Sequence, residues 1–125
     1  MAVLNFIALA LYFYWTIWWS DILVHTLAGL IGGFIAIWFF FDSGLFFKNH
    51  PTSLQTIVVG VICVLIAGIA WEIFEYVYIS DIIEQSTENY TLDTINDFLA
   101  DLIGAILAGI IGAKKIFRSD NQLET

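Results

Sequence analysis

Apolar residues in this chain run in long unbroken stretches, without the period-2 alternation of a half-buried strand or the single apolar face of a soluble helix. Four such stretches are legible, at about residues 2–19, 21–41, 54–79 and 93–117. Each is near the roughly 20 residues a helix needs to cross a hydrocarbon core. They end where composition changes: at Asp42-Ser43-Gly44, at Lys48-Asn49-His50-Pro51, and in the polar stretch over residues 80–91. Ser20 or Asp21 is the expected N-cap of the second helix. The pattern predicts an all-α, polytopic membrane four-helix bundle, with residues 1–125 as a single transmembrane domain and residues 119–125 as a disordered tail.

Composition strengthens this reading. The 125 residues are 60% hydrophobic and 13% charged, with a mean hydropathy of +0.87. A soluble domain of this length leaves about a third of its unfolded surface in water, and too few charges are present to cover it. In lipid only helices and closed barrels satisfy every backbone group, and unbroken apolar runs select helices. The first run lacks a basic leader and is expected to be retained. A net charge of −8 and a pI near 4.2 argue against nucleic acid as a partner. Cys63 lies within an apolar run and reads as a small hydrophobe.

Charge distribution suggests an orientation. Lys48 lies between the second and third runs, and Lys114, Lys115 and Arg118 close the fourth. The positive-inside rule then puts both termini and the middle loop in the cytoplasm, N-in/C-in. The loop bearing Asp81, Glu84 and Glu88 falls outside, and Trp15, Trp18, Trp19, Trp71, Tyr76 and Tyr78 form an aromatic belt near that outer face.

With that topology the intramembrane polar residues converge in depth. Asp21 and His25 are four apart at the outer start of the second helix, and Glu72 and Glu75 three apart near the outer end of the third. Asp93, Asp97 and Asp101 descend the fourth at a four-residue spacing, over about 12 Å. A charged side chain near mid-bilayer costs roughly 2.5–3.5 kcal/mol, so these groups must face the bundle interior or water. No Lys or Arg is available on that side, which leaves protons, a metal ion or a cationic ligand to balance them. Glu72, Glu75, Asp97 and Asp101 are the expected cation or metal ligands. Asp21, His25 and Asp93 are accessory groups; the bland reading of Asp21 and Asp93 is that they favour a helix N-terminus. Carboxylates suit Mg²⁺, Mn²⁺ or Ca²⁺, and His25 extends the choice to Zn²⁺.

Small residues mark the packing faces. Ala100, Gly104, Ala108 and Gly112 form one stripe on the fourth helix, and Ala105, Gly109 and Ala113 another. Ala28, Gly29, Gly32 and Gly33 make a bare patch on the second helix, and Ala67, Gly68 and Ala70 one on the third. Such stripes permit close approach of membrane helices. The helix-four carboxylates continue the Ala105–Gly109 stripe. This fits an interior site and equally a homodimer interface.

Asp21-x-x-x-His25 before a glycine patch, Trp71-Glu72-x-x-Glu75, and Asp93-Thr94-x-x-Asp97-x-x-x-Asp101-x-x-Gly104-Ala105 together resemble the YjdF-like proteins of bacterial inner membranes. The pattern is more distantly similar to the VanZ-like family, with Glu75 where that family carries Gln and Asp101 where it carries Asn. The resemblance implies a role at the cell envelope, associated in VanZ-like proteins with glycopeptide-antibiotic resistance. It implies no particular reaction.

Three functions fit these residues. One is an intramembrane site that binds a divalent cation and acts on, or holds, an envelope lipid head group. The second is proton-coupled transport of a cation or drug, since intramembrane carboxylates serve proton relays. The third is a non-catalytic modulator of an envelope complex, in which the acids order the bundle.

Overall fold

The computed structural model describes residues 19–43, 45–46, 51–78 and 90–123. The first expected span, about residues 2–19, lies outside the described residues apart from Trp19, and so does the acidic loop with Asp81, Glu84 and Glu88. Three helices are described: α1 (Ser20–Ile37), α2 (Ser53–Tyr78) and α3 (Tyr90–Leu123). A π-helical turn, Trp38–Asp42, continues α1. The apolar spans Ser20–Asp42, Ser53–Tyr78 and Thr91–Lys115 have 23, 26 and 25 residues. At 1.5 Å per residue each is about 34–39 Å long, enough to cross a core of about 30 Å.

Local chemistry explains most of the boundaries. Thr52 and Gln55 form a reciprocal capping box on α2: the Thr52 amide donates to Gln55 Oε1 at 2.9 Å, and the Gln55 amide to Thr52 Oγ1 at 3.2 Å. Pro51, just before the cap, is buried. At the start of α1 the expected cap moves by one residue. Trp19, not Ser20 or Asp21, is the cap residue, and it makes no side-chain capping bond. Its carbonyl accepts from the Leu23 amide at 3.2 Å. The π turn closes with the Ser43 amide donating to the Trp38 carbonyl at 2.8 Å, and Phe39, Phe40 and Phe46 pack their rings together beside it. Helix α3 begins a turn before Asp93 and runs to Leu123, past the end expected at residue 117 and through most of the tail expected to be disordered. No Gly or Pro interrupts residues 114–123, so no strong helix breaker stops the helix there.

Packing fixes the directions of the helices. His25 faces Asp101, Gly33 faces Ala105 and Ala108, and Ile37 faces Gly112, so α1 and α3 run parallel. Gly68 lies against Asp101, Gly60 against Ala105, and Thr56 against Gly112, so α2 runs the other way. The core between them is built from small residues. Ala36, Ala100, Ala105, Ala108 and Ala113 are buried, with Val64 and Ile37, while Ile31, Ile35, Ile66, Ile73 and Ile103 face outward. That inversion suits a lipid solvent, where helices gain by close backbone approach rather than by hiding large apolar groups.

Both stripes of α3 are used inside the chain. A Cβ on Gly104 would run into the Thr26 carbonyl, and one on Gly29 into the Asp101 carbonyl. On the other flank a Cβ on Gly109 would stand 2.7 Å from Ile57 Cα. On α2 Gly68 is buried, but Ala67 and Ala70 are exposed among the described residues.

Candidate functional site

Because α1 and α3 are parallel and α2 is reversed, the start of α1, the end of α2 and the start of α3 meet at one end of the bundle. The six acidic residues singled out in the spans and His25 all belong to that end. Among the described residues the opposite end holds Asp42, after α1, and Lys114 and Lys115 of α3. The buried acids are therefore gathered at one end, and the described lysines lie toward the other.

His25 is the hub. It is 5% exposed, on the face of α1 opposite α3. Its Nε2 lies 3.8 Å from Asp21 Oδ1, one turn earlier on α1, and 3.7 Å from Asp97 Oδ2 on α3. Its other nitrogen, Nδ1, lies 3.5 Å from Asp101 Oδ1. These separations exceed the 2.7–3.2 Å of a good hydrogen bond. Asp97 and Asp101 are 4% and 6% exposed. His25 Nδ1, Asp97 Oδ1 and Asp101 Oδ1 are buried side-chain atoms that make no hydrogen bond. Such orphaned polar atoms carry a desolvation cost of about 1–3 kcal/mol each, more when charged. Most buried polar side-chain atoms in proteins have a partner, so three orphaned atoms in one cluster stand out.

The second half of the site lies between α2 and α3. Glu72 and Glu75 are half-buried in the last two turns of α2. The Thr94 hydroxyl donates to Glu72 Oε2 at 2.8 Å and so orients that carboxylate. Thr94 was absent from the expected set; the position beside Asp93 and three before Asp97 was the available signal. Asp93 itself is half-buried, one turn nearer the helix start than Asp97.

Ligand-type atoms gather in two groups. One atom each from Asp21, His25 and Asp97 lie within 4.8 Å of one another, and so do one each from Glu72, Glu75 and Asp97. Asp97 belongs to both. Asp101, expected beside Glu72 and Glu75, is instead engaged with His25 on its Oδ1 side, with Oδ2 toward Gly68. Gly68 makes room there: a Cβ at that position would stand 3.1 Å from Asp101 Oδ2.

Apolar spans enclosing a buried polar cluster define the class: a multi-pass helical membrane protein with buried carboxylates at one end of its helices. The chain belongs to the family described as "Predicted membrane protein (DUF2238)", whose model matches residues 1–117. The YjdF-like resemblance is consistent with that family, whereas the VanZ-like one is not shown by it. No curated protein and no solved structure matches the chain.

Proposed function

We propose that this protein binds a divalent cation at the acidic end of its bundle, through Glu72, Glu75 and Asp97, and uses the ion to hold the anionic head group of an envelope lipid. The observation that carries the reading is the convergence of those three carboxylates from two helices. Two oxygens each about 2.1–2.6 Å from one ion stand at most about 4.2–5.2 Å apart, and one atom from each of the three residues lies within 4.8 Å of the others. No Lys or Arg of the chain belongs to this end in the described spans, so a bound ion is the simplest source of positive charge. An acidic cluster would repel a phosphate; an ion with open coordination positions reverses that sign. Glu72 and Glu75 sit in the last two turns of α2, at head-group depth, where such a ligand would arrive.

In this reading the acidic end faces outward across the bacterial inner membrane and both termini face the cytoplasm, which the basic opposite end supports. Proton-coupled transport is less well supported. Among the described residues no Asp, Glu, His, Lys or Arg lies along α1, α2 or α3 between the level of His25 and Asp101 and the basic end. The helices there are closed over Gly33, Gly60, Ala105 and Ala108. A relay would have no titratable step across that layer.

The test is elemental analysis and Mn²⁺ titration of purified protein. The wild type is expected to hold at least one ion per chain, and Glu75→Gln to weaken binding at least tenfold. Wild-type protein with no metal above background would overturn the reading and leave the modulator role. Stripping the metal with EDTA is expected to lower the phospholipid that co-purifies. Unchanged lipid content would remove the head-group half.

A further inference from the structure

The geometry points to a second metal ion in the same site, ligated by Asp21, His25 Nε2 and Asp97, with Asp97 bridging the two ions and Asp101 positioning the histidine. The inference rests on the first ion proposed above and deepens it from a single-ion site to a two-ion centre. The side chains of His25 and Asp97 are more than nine-tenths buried, and Asp97 Oδ1, a ligand-type atom of the shared carboxylate, makes no hydrogen bond; neither does His25 Nδ1 on the Asp101 side. The acidic cluster therefore does not stand alone as the argument.

Distances separate a metal site from a hydrogen-bonded triad. Two ligands each about 2.0–2.2 Å from one ion stand about 3.3–3.8 Å apart at tetrahedral to trigonal angles. His25 Nε2 lies 3.8 Å and 3.7 Å from the oxygens of Asp21 and Asp97. Those gaps are too long for hydrogen bonds and match the spacing across an ion. The rear of the ring completes the pattern. Asp101 Oδ1 faces Nδ1 at 3.5 Å without a hydrogen bond; a small closing of that gap when the ion binds would let the carboxylate fix the tautomer and leave the Nε2 lone pair for the ion. Asp97 then supplies oxygen to both three-residue groups, as a bridging carboxylate does in two-metal sites, whose ions stand about 3.5–4 Å apart.

Charge agrees. Asp21, Glu72, Glu75, Asp93, Asp97 and Asp101 carry six negative charges when ionised. One divalent ion leaves four of these unbalanced in a medium of low dielectric, and two ions leave two. The histidine also makes the second position the softer of the two, suited to Mn²⁺ or Zn²⁺ more than to Ca²⁺ or Mg²⁺. A pair of ions beside a half-exposed acidic rim is a fitting receptor for a phosphate group, whose oxygens can bridge both.

Mn²⁺ is the probe, added to full-length protein in detergent and read by metal counting and electron paramagnetic resonance. The wild type is expected to bind two Mn²⁺ per chain with an exchange-coupled spectrum. His25→Gln is expected to retain one ion with the uncoupled six-line signal. Asp101→Asn keeps a side chain of the same shape and is expected to weaken the second ion about 10–100-fold while leaving the first unchanged. The ion retained in these variants reports that the protein is folded. One uncoupled Mn²⁺ in the wild type, unaltered by His25→Gln, would overturn the second ion and leave the first standing. No bound Mn²⁺ in the wild type would overturn both.

Discussion

At the scale of single residues, the glycines of α1 decide how closely two backbones meet. A Cβ on Gly29 would collide with the carbonyl of Asp101, and backbone cannot step aside without shifting a helix. At Gly32, one turn on, a Cβ would meet only the Val64 Cγ2 methyl at 3.3 Å, which a small side-chain movement accommodates. Gly29→Ala is therefore expected to destabilise the protein by about 1–3 kcal/mol or more, as overpacking does. Gly32→Ala should stay within about 1 kcal/mol of wild type. Thermal unfolding in detergent compares the two, and equal loss at both positions would contradict the packing described. Gly29 also sits at the same contact as Asp101, so its replacement should displace that carboxylate from His25. The glycine patch was legible in the sequence as a packing face, but the difference between Gly29 and Gly32 was not. It depends on which atoms of another helix lie opposite.

At the scale of elements, α2 is held at its start by side chains and at its other end by the site. The Thr52–Gln55 box satisfies two amides that the first turn of a helix otherwise leaves without partners. Thr52→Ala is expected to cost about 1 kcal/mol and to speed amide exchange in the first turn, residues 53–56. Exchange near Glu72 should not change. If both ends respond alike, the helix frays as a whole and the cap is not a local device. Hydroxyls along the spans also bond to carbonyls one turn back. Thr26 donates to the Ile22 carbonyl at 2.7 Å and Thr56 to the Thr52 carbonyl at 3.1 Å, so neither leaves an unsatisfied group in an apolar setting. The T-x-x-Q signature after Pro51 was available in the sequence. The helix limits of α2 agree with hydropathy to within a residue, because leaving the apolar run and leaving the membrane are the same event.

At the scale of the whole molecule, charge is sorted along the bundle axis. The acidic end gathers the start of α1, the end of α2 and the start of α3, and among the described residues Lys114 and Lys115 lie toward the other end of α3. An N-in/C-in orientation predicts opposite accessibility for two exposed positions, Leu92 on the acidic end of α3 and Lys115 on its basic end. In a Cys63→Ala background, Leu92→Cys is expected to react with an impermeant maleimide from outside intact cells, and Lys115→Cys only after lysis. The reverse pattern would invert the topology and place the proposed site in the cytoplasmic leaflet. The small-residue stripes of α3 are already occupied by α1 and α2 of the same chain. A homodimer would then use other faces.

The membrane class, the three described spans and the sharing of a helix face by Asp93, Asp97 and Asp101 follow from the sequence alone, because hydropathy and helical periodicity are local properties. A run of apolar residues must cross lipid, and residues four apart must share a face. The pairing of those faces is not local. That His25 stands between Asp21 and Asp97 with Asp101 behind it, that Asp97 serves two groups, and that Thr94 orients Glu72 were settled only when α1 and α3 closed on each other. Glycine contacts at Gly29 and Gly104 set the rotation and register of that pair, and a rotation of a few tens of degrees would have paired the same carboxylates differently.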